Sequence, residues 1–266
     1  MEISIEDIKK IAKKAGEEIL KYYNSDYDIS YKGEGKASPL TDADLASDKI
    51  IKDELEKYGI PILREESSDD KKRLNSEYVW VVDPLDGTSD FIKKTGEFVV
   101  SIGLVKNKQP ILGVIYEPVI DRFFYAQKDK GAFMEERGTA KGIKVSAESD
   151  FSKMRILLSR SHLLSSDLKL CESLGIGEKI ERGSVAKIAL VAAGMGEIYV
   201  NTSDKTSEWD TCGGAVIVRE AGGKITDMKG NDLVYNNDNP RHLDGFVVSN
   251  GTRHEDIINE LKSLKV

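Results

Sequence analysis

The sequence predicts a mixed chain in two parts: an α+β first half built on an antiparallel sheet, and an α/β second half with its own sheet and helices. Three observations predict it. Strand-like apolar runs follow one another closely from residue 78 to residue 127. Beyond about residue 144, strand-like and helical stretches alternate. Hydrophobic residues at 39% and charged residues at 32% are ordinary for a globular chain, and 266 residues suffice for one large domain or two small ones sharing a core.

Residues 3–24 read as an amphipathic helix, with Ile5, Ile8, Ala12, Ala15, Ile19 and Tyr23 at helical spacing. Residues 26–39 are polar and glycine-bearing, hence a loop or short hairpin. Thr41 is placed to cap a helix over 42–58. Tyr78 to Val82 is a buried strand by its β-branched and aromatic content, ended by Asp83 and Pro84. Strands follow over 98–106, 111–117 and 122–127, with Asn107 and Gly113 read as turn or bulge marks. The second part reads as strand 155–159, helix 165–174, helix 185–193, strand 197–200, helix 210–220 stopped by Gly222-Gly223, strand 245–249 and helix 255–264. This gives two halves, 1–148 and 149–266, meeting across a shared interface.

The net charge of −7 disfavours a nucleic-acid polymer or a membrane surface as partner, since both are anionic. A phosphate ligand would therefore need local cations. Cys171 and Cys212 are too few for a disulfide scaffold, which favours a reducing, cytoplasmic setting. The N-terminal stretch lacks the apolar core of a signal peptide, and no apolar run is long enough for membrane insertion. The three histidines, His162, His242 and His254, are too scattered for a multi-histidine metal site.

The most informative stretch is Asp83-Pro-Leu-Asp86-Gly87-Thr88-Ser-Asp90, directly after a buried strand. Asp83 and Asp86 can both reach one point beyond the strand. Hard cations such as Mg²⁺ take several oxygen ligands of this kind. Pro84 stiffens the turn and can turn the Leu85 carbonyl to the same point. Gly87 lets a phosphate approach the backbone, where the N–H groups of Gly87 and Thr88 begin a helix. Two further acidic stretches are Glu65-Glu66 and Glu208-Trp-Asp210. Taken alone, the first reads as a solvated loop and the second as a helix cap. Joined to Asp83 and Asp86, they hold enough oxygens for a multi-metal centre. His162 lacks a nucleophile partner, Lys187 alone reads as a solvent-facing helix lysine, and Cys212 reads as a packing residue.

DPLDGTSDF, preceded by the paired glutamates and followed by WDTCGGAVIVREAGG, resembles the inositol monophosphatase superfamily over nearly the whole chain. Asp90 with Gly96-Glu97-Phe98, Ser159-Arg-Ser-His162, and Gly183-Ser-Val-Ala-Lys187 resemble its 3′(2′),5′-bisphosphate nucleotidase branch. The resemblance implies a layered α/β sandwich and Mg²⁺-dependent removal of the 3′ phosphate from adenosine 3′,5′-bisphosphate, without a covalent phospho-enzyme. It implies Glu65, Asp83, Asp86, Asp210 and the Leu85 carbonyl as metal ligands. It implies that Thr88 and Asp44 activate water. It also implies Ser159, His162, Gly183 and Lys187 as nucleotide contacts. Arg64, where the family carries Gly or Ser, departs from the pattern, and Asp42 offers a second acid beside Asp44. Two alternatives stay open: an inositol or fructose-bisphosphate phosphatase, and a non-catalytic nucleotide- or metal-sensing module. Monomer and homodimer are equally compatible with the sequence.

Overall fold

The computed structural model describes residues 3–25, 29–32, 38–69 and 71–265. The first half carries α1 (Ile5–Tyr23), β1 (Ile29–Lys32), β2 (Ser38–Thr41), α2 (Asp42–Leu55), β3 (Ile62–Arg64), β4 (Tyr78–Asp86), α3 (Thr88–Ile92), β5 (Val99–Lys106), β6 (Gln109–Glu117), β7 (Arg122–Gln127), β8 (Ala132–Glu136) and β9 (Thr139–Ile143). The second carries β10 (Arg155–Ser159), α4 (Ser165–Leu174), β11 (Glu178–Arg182), α5 (Ala186–Ala192), β12 (Ile198–Asn201), α6 (Glu208–Glu220), β13 (Lys224–Thr226), β14 (Phe246–Ser249) and α7 (His254–Ser263).

The expected antiparallel sheet is present as seven strands in the order β3-β4-β5-β6-β7-β8-β9, antiparallel except for the β3–β4 pair. The second sheet, β11-β10-β12-β14-β13, is mixed. Alternation along the strands explains the layers. On β4, Trp80 and Val82 join the core under α1 and α2, while Val79 and Val81 join the core under α5 and α6. On β10, Leu157 faces α5 and α6, while Ile156 and Leu158 face α4 and α7. The result is a helix–sheet–helix–sheet–helix sandwich with three apolar cores.

Several boundaries differ from the sequence reading for identifiable reasons. β4 does not stop at Asp83 but runs to Asp86, because a bulge carries pairing past Pro84. Within the segment read as a loop or short hairpin, β1 pairs antiparallel with β2; residues 26–28 and 33–37 lie outside the described residues. β9 and β11 have no apolar alternation, and most of their residues are exposed. They exist because β8 and β10 offer backbone partners. Asn107 is indeed a turn residue, with φ of 48°. Gly113 is neither turn nor bulge. It sits mid-strand opposite Gly103, beneath Gly213 of α6. A Cβ at Gly113 would lie 2.1 Å from the Gly213 carbonyl oxygen, and one at Gly103 would lie 2.4 Å from Cys212 Sγ. The glycines let α6 lie almost on the sheet.

Gly113→Ala therefore destabilises the protein by about 3 kcal/mol or more, since helix backbone blocks the added methyl. Gly142→Ala, which meets nothing within 4 Å, serves as the control and stays within about 0.5 kcal/mol. Denaturant unfolding of both variants checks this.

His254 is buried, with Nε2 on Thr226 Oγ1 at 2.8 Å and Nδ1 on Ser249 Oγ at 2.7 Å. Burial, helped by Lys224 and opposed by Glu255, holds its pKa at about 4. The unfolded imidazole titrates near its ordinary 6.5, so between those values the unfolded chain binds the extra proton. This contribution is complete above about pH 6.5 and disappears as the pH falls toward 4. Denaturation midpoints measured from pH 7 to 5 should fall, and less steeply in His254→Gln.

Candidate active site

The site is made by backbone devices that aim acids at one point. In a regular strand Asp83 and Asp86, three residues apart, would face opposite sides of the sheet. Asp83 pairs with Ser101 and Asp86 with Val99, so β4 spends one more residue than β5 there. That bulge returns Asp86 to the side of Asp83. The Leu85 N–H donates to Asp83 Oδ1 at 3.1 Å, and Ser47 Oγ donates to the Pro84 carbonyl at 2.7 Å. Both bonds stiffen the bulge.

Two other acids are aimed by helix starts. Asp210 is the third residue of α6 and Asp44 the third of α2, each in a capping box with Ser207 or Thr41. The Ser207 N–H donates to Asp210 Oδ2 at 2.6 Å. Thr41 donates its N–H to Asp44 Oδ2 at 2.8 Å and its hydroxyl at 2.6 Å. Asp210 is not itself the N-cap, which is Ser207; the helix begins two residues earlier than the sequence suggests, and the capping-box bond orients the Asp210 carboxylate toward the cluster. Oxygens of Asp83, Asp86 and Asp210 lie within 4.8 Å of one another.

The electrostatics fit a cation site. Burial first, then the charges of Glu65, Asp86, Asp210 and Glu66, push the Asp83 carboxyl well above the usual range. Asp86 is pushed to about 6 by burial; the Val185 N–H and Lys187 pull it down, while Glu65 and Asp90 push it up. Glu65, at the end of β3, thus acts on both aspartates. The donors are all hard oxygens, which suit Mg²⁺ or a similar divalent ion. The nearby softer groups are turned to other partners. Cys212 Sγ faces Gly103, and His242 Nε2 is 2.7 Å from Thr211 Oγ1.

Thr88 stands beside the cluster. Its hydroxyl donates to Asp44 Oδ1 at 3.0 Å and approaches the Leu85 carbonyl at 3.4 Å. Asp42 is exposed, so Asp44 is the acid that meets Thr88. Arg64 turns away from the cluster and pairs with Asp48 of α2. The family departure at Arg64 therefore ties β3 to α2.

Gly87 caps α3 with φ of 94°, and a side chain there would meet the Glu97 carbonyl and Ser184. Gly183 lies against Asp90, where a Cβ would come within 2.6 Å of the carboxylate, and its N–H donates to Glu97 at 2.7 Å. The Val185 N–H donates to Asp86. Lys187 is not solvent-facing. It is 2% exposed, donates to the carbonyls of Arg182 and Ser184, and lies 4.9 Å over the Tyr199 ring. Burial lowers its pKa to about 8, while Asp86, Asp90 and Glu97 hold it up. Ser159 ends β10 and His162 lies on the loop after it, where the His162 N–H donates to Ser159 Oγ at 3.1 Å. That loop is fastened by Arg160 on Glu97 and by Lys93 on Ser161 at 3.1 Å. The sequence marks Glu97 only as part of a motif. It is a hub between the halves, held at about 2 because bonds from Arg160, Gly183 and Arg182 outweigh its burial. Its position before Phe98 in a polar turn carries no sign of those distant partners.

This fold is shared with proteins of known class. The inositol monophosphatase family model matches residues 4–265. The chain belongs to the inositol monophosphatase family, whose enzymes depend on metal ions. Among curated relatives it is similar to the 3′(2′),5′-bisphosphate nucleotidase CysQ of Salmonella typhimurium, 36% identical over 87% of this chain and 93% of that protein. It is also similar to the CysQ of Buchnera aphidicola, 38% identical over 87% of each. Among solved structures it superposes on CysQ of Bacteroides thetaiotaomicron at 32% identity and a TM-score of 0.80, covering 94% of this chain and 97% of that one. The suhB protein of Bartonella henselae gives 28% identity and a TM-score of 0.83, covering 97% of each chain. No helix among the described residues is long and apolar enough to cross a membrane.

Crowding of like charges makes a direct prediction. Asp83→Asn leaves the metal-free fold at least as stable as the wild type, because it removes a buried repelling charge. At Mg²⁺ about 100-fold above its dissociation constant the wild type gains about 3 kcal/mol, and the variant gains less than about 1. Melting curves with Mg²⁺ and with chelator decide it.

Proposed function

We propose that this chain is a 3′(2′),5′-bisphosphate nucleotidase that removes the 3′ phosphate of adenosine 3′,5′-bisphosphate, yielding AMP and phosphate. The observation that carries the reading is the Thr88–Asp44 hydrogen bond beside the converging Asp83, Asp86 and Asp210. Curated relatives bearing that activity in their names, similar over most of their length, support the choice of substrate. Glu65, Asp83, Asp86, Asp210 and the Leu85 carbonyl would hold Mg²⁺. Bound there, the cation supplies Lewis-acid polarisation and neutralises phosphate charge.

The chain's own residues supply the rest. Thr88 Oγ1 already donates its proton to Asp44, so its lone pairs accept a hydrogen from water. The proton of the attacking water passes to Thr88 Oγ1 while the threonine proton moves to Asp44 Oδ1. Thr41 holds the other oxygen of Asp44 with two donors, so the carboxylate cannot swing away. The N–H groups of Gly87 and Thr88 meet phosphate oxygens. Ser159 and His162 receive the nucleoside at the rim, with Gly183 shaping the wall beside Asp90. Lys187 contributes from beneath, as a buried positive charge next to Asp86.

Thr88→Ala and Asp44→Asn lower kcat by about 10²- to 10⁴-fold while Mg²⁺ binding survives. Phosphate release is measured from adenosine 3′,5′-bisphosphate, inositol 1-phosphate and fructose 1,6-bisphosphate, with and without Mg²⁺. The nucleotide should give the highest kcat/KM. A preference for inositol 1-phosphate would replace the substrate, and no release from any would leave a sensing module.

A further inference from the structure

Away from the acidic cluster lies a second polar assembly, buried and built from three stretches of chain. Arg73, on the link between β3 and β4, is 2% exposed. Its Nε and Nη2 donate to Asp69 Oδ2 at 3.1 and 2.7 Å. Its Nη1 donates to Asn236 Oδ1 at 2.7 Å, and Nη2 also reaches the Asn237 carbonyl at 2.9 Å. The Asn236 amide returns a bond to the Arg73 carbonyl at 3.1 Å. On the other side, Glu208 opens α6 and is fully buried. It accepts the Asn236 N–H at 2.6 Å, the Asn237 N–H at 2.9 Å and the Asn237 side-chain amide at 3.0 Å.

The location gives this assembly its meaning. Glu65 stands four residues before Asp69, and Asp210 two residues after Glu208. Glu65 opens this link and is anchored at its start by buried Leu63 and by its own N–H on the Val82 carbonyl at 3.3 Å. Among its described residues from 65 to 77, Arg73 is the buried one. Beyond Glu65 the buried Arg73 and its bonds are what tie the link to the rest of the fold. Such bonds are directional, so they fix position more tightly than contact between apolar surfaces. We propose that Arg73, Asn236, Asn237 and Glu208 act as a positioning lock that holds the Glu65 stretch in register with the start of α6, and thereby sets the affinity of the acidic cluster for a divalent cation. This rests on the cation-binding reading of that cluster. None of the four touches the reacting atoms; they act through the backbone that carries Glu65 and Asp210.

The test measures cation binding itself. Metal-free wild type, Glu208→Ala, Glu208→Gln and Asn237→Ala are titrated with Mg²⁺ by calorimetry. Melting temperatures and the KM for adenosine 3′,5′-bisphosphate at saturating Mg²⁺ are measured alongside. Glu208→Ala should weaken Mg²⁺ binding by about 10- to 100-fold, the range found when groups supporting metal ligands are removed. Glu208→Gln keeps one acceptor oxygen and should fall between it and the wild type. KM at saturating Mg²⁺ should be unchanged. Asn237→Ala removes two side-chain bonds, to Glu208 and to the Val234 carbonyl, and leaves the backbone bonds, so it reads the effect if Glu208→Ala does not fold. Variants that melt earlier yet bind Mg²⁺ like the wild type would reduce the lock to ordinary scaffolding and overturn the proposal. A wild type that binds no Mg²⁺ would instead overturn the cation reading beneath it.

Discussion

Mutual repulsion of carboxylates gathered in a small volume is the constraint around which this molecule is organised. Asp83, Asp86 and Asp210 hold oxygens within 4.8 Å, and Asp83 is nearly sealed from water. Left to side-chain preference, such groups would separate or take up protons. Each is held by backbone geometry and hydrogen bonds: a bulge for Asp83 and Asp86, a capping box for Asp210. Lys187 is buried beside them as partial compensation. The folded chain thus stores unfavourable electrostatics in a place where a divalent cation relieves it.

The same economy appears at Asp44. One carboxylate oxygen begins a helix and the other accepts Thr88. A local motif with an ordinary structural purpose is used a second time, for proton handling. Glycine serves a related end in the sandwich. Gly103, Gly113 and Gly213 remove the side chains that would hold α6 off the sheet. α6 therefore lies close enough to β4 and β5 to bring Asp210 to the end of the strand that bears Asp83. The seven-stranded sheet draws on residues 62–143, yet the acidic cluster is incomplete without a helix from the second half.

Legibility in the sequence followed the range of the interactions. Arg122–Gln127 and Ser165–Leu174 were readable end to end, because apolar period and cap signals lie within the element. Thr41 announced its helix in the same way. β9 and β11 were silent, because edge strands draw their bonds from a neighbour and need no apolar face of their own. Gly113 reads in the sequence as a turn or bulge mark and is neither, since a glycine looks the same whether it frees the backbone or admits a helix. Lys187 was misread as exposed when taken alone, because its partners are carbonyls and a ring that the fold brings to it.

By itself the sequence determined the strand-to-acid arrangement of Asp83, Asp86 and Thr88, the helix start at Thr41, and the character of the layers. These depend on neighbours a few residues away, and covalent geometry enforces them. Only the tertiary structure decided that Asp83, Asp86 and Asp210 converge, that Thr88 bonds Asp44 rather than Asp42, that Arg64 turns to Asp48, and that Arg73 joins Glu208 through two asparagines. Those pairings bring together groups far apart in the chain. Their geometry is set by how sheets and helices stack, which no local pattern encodes.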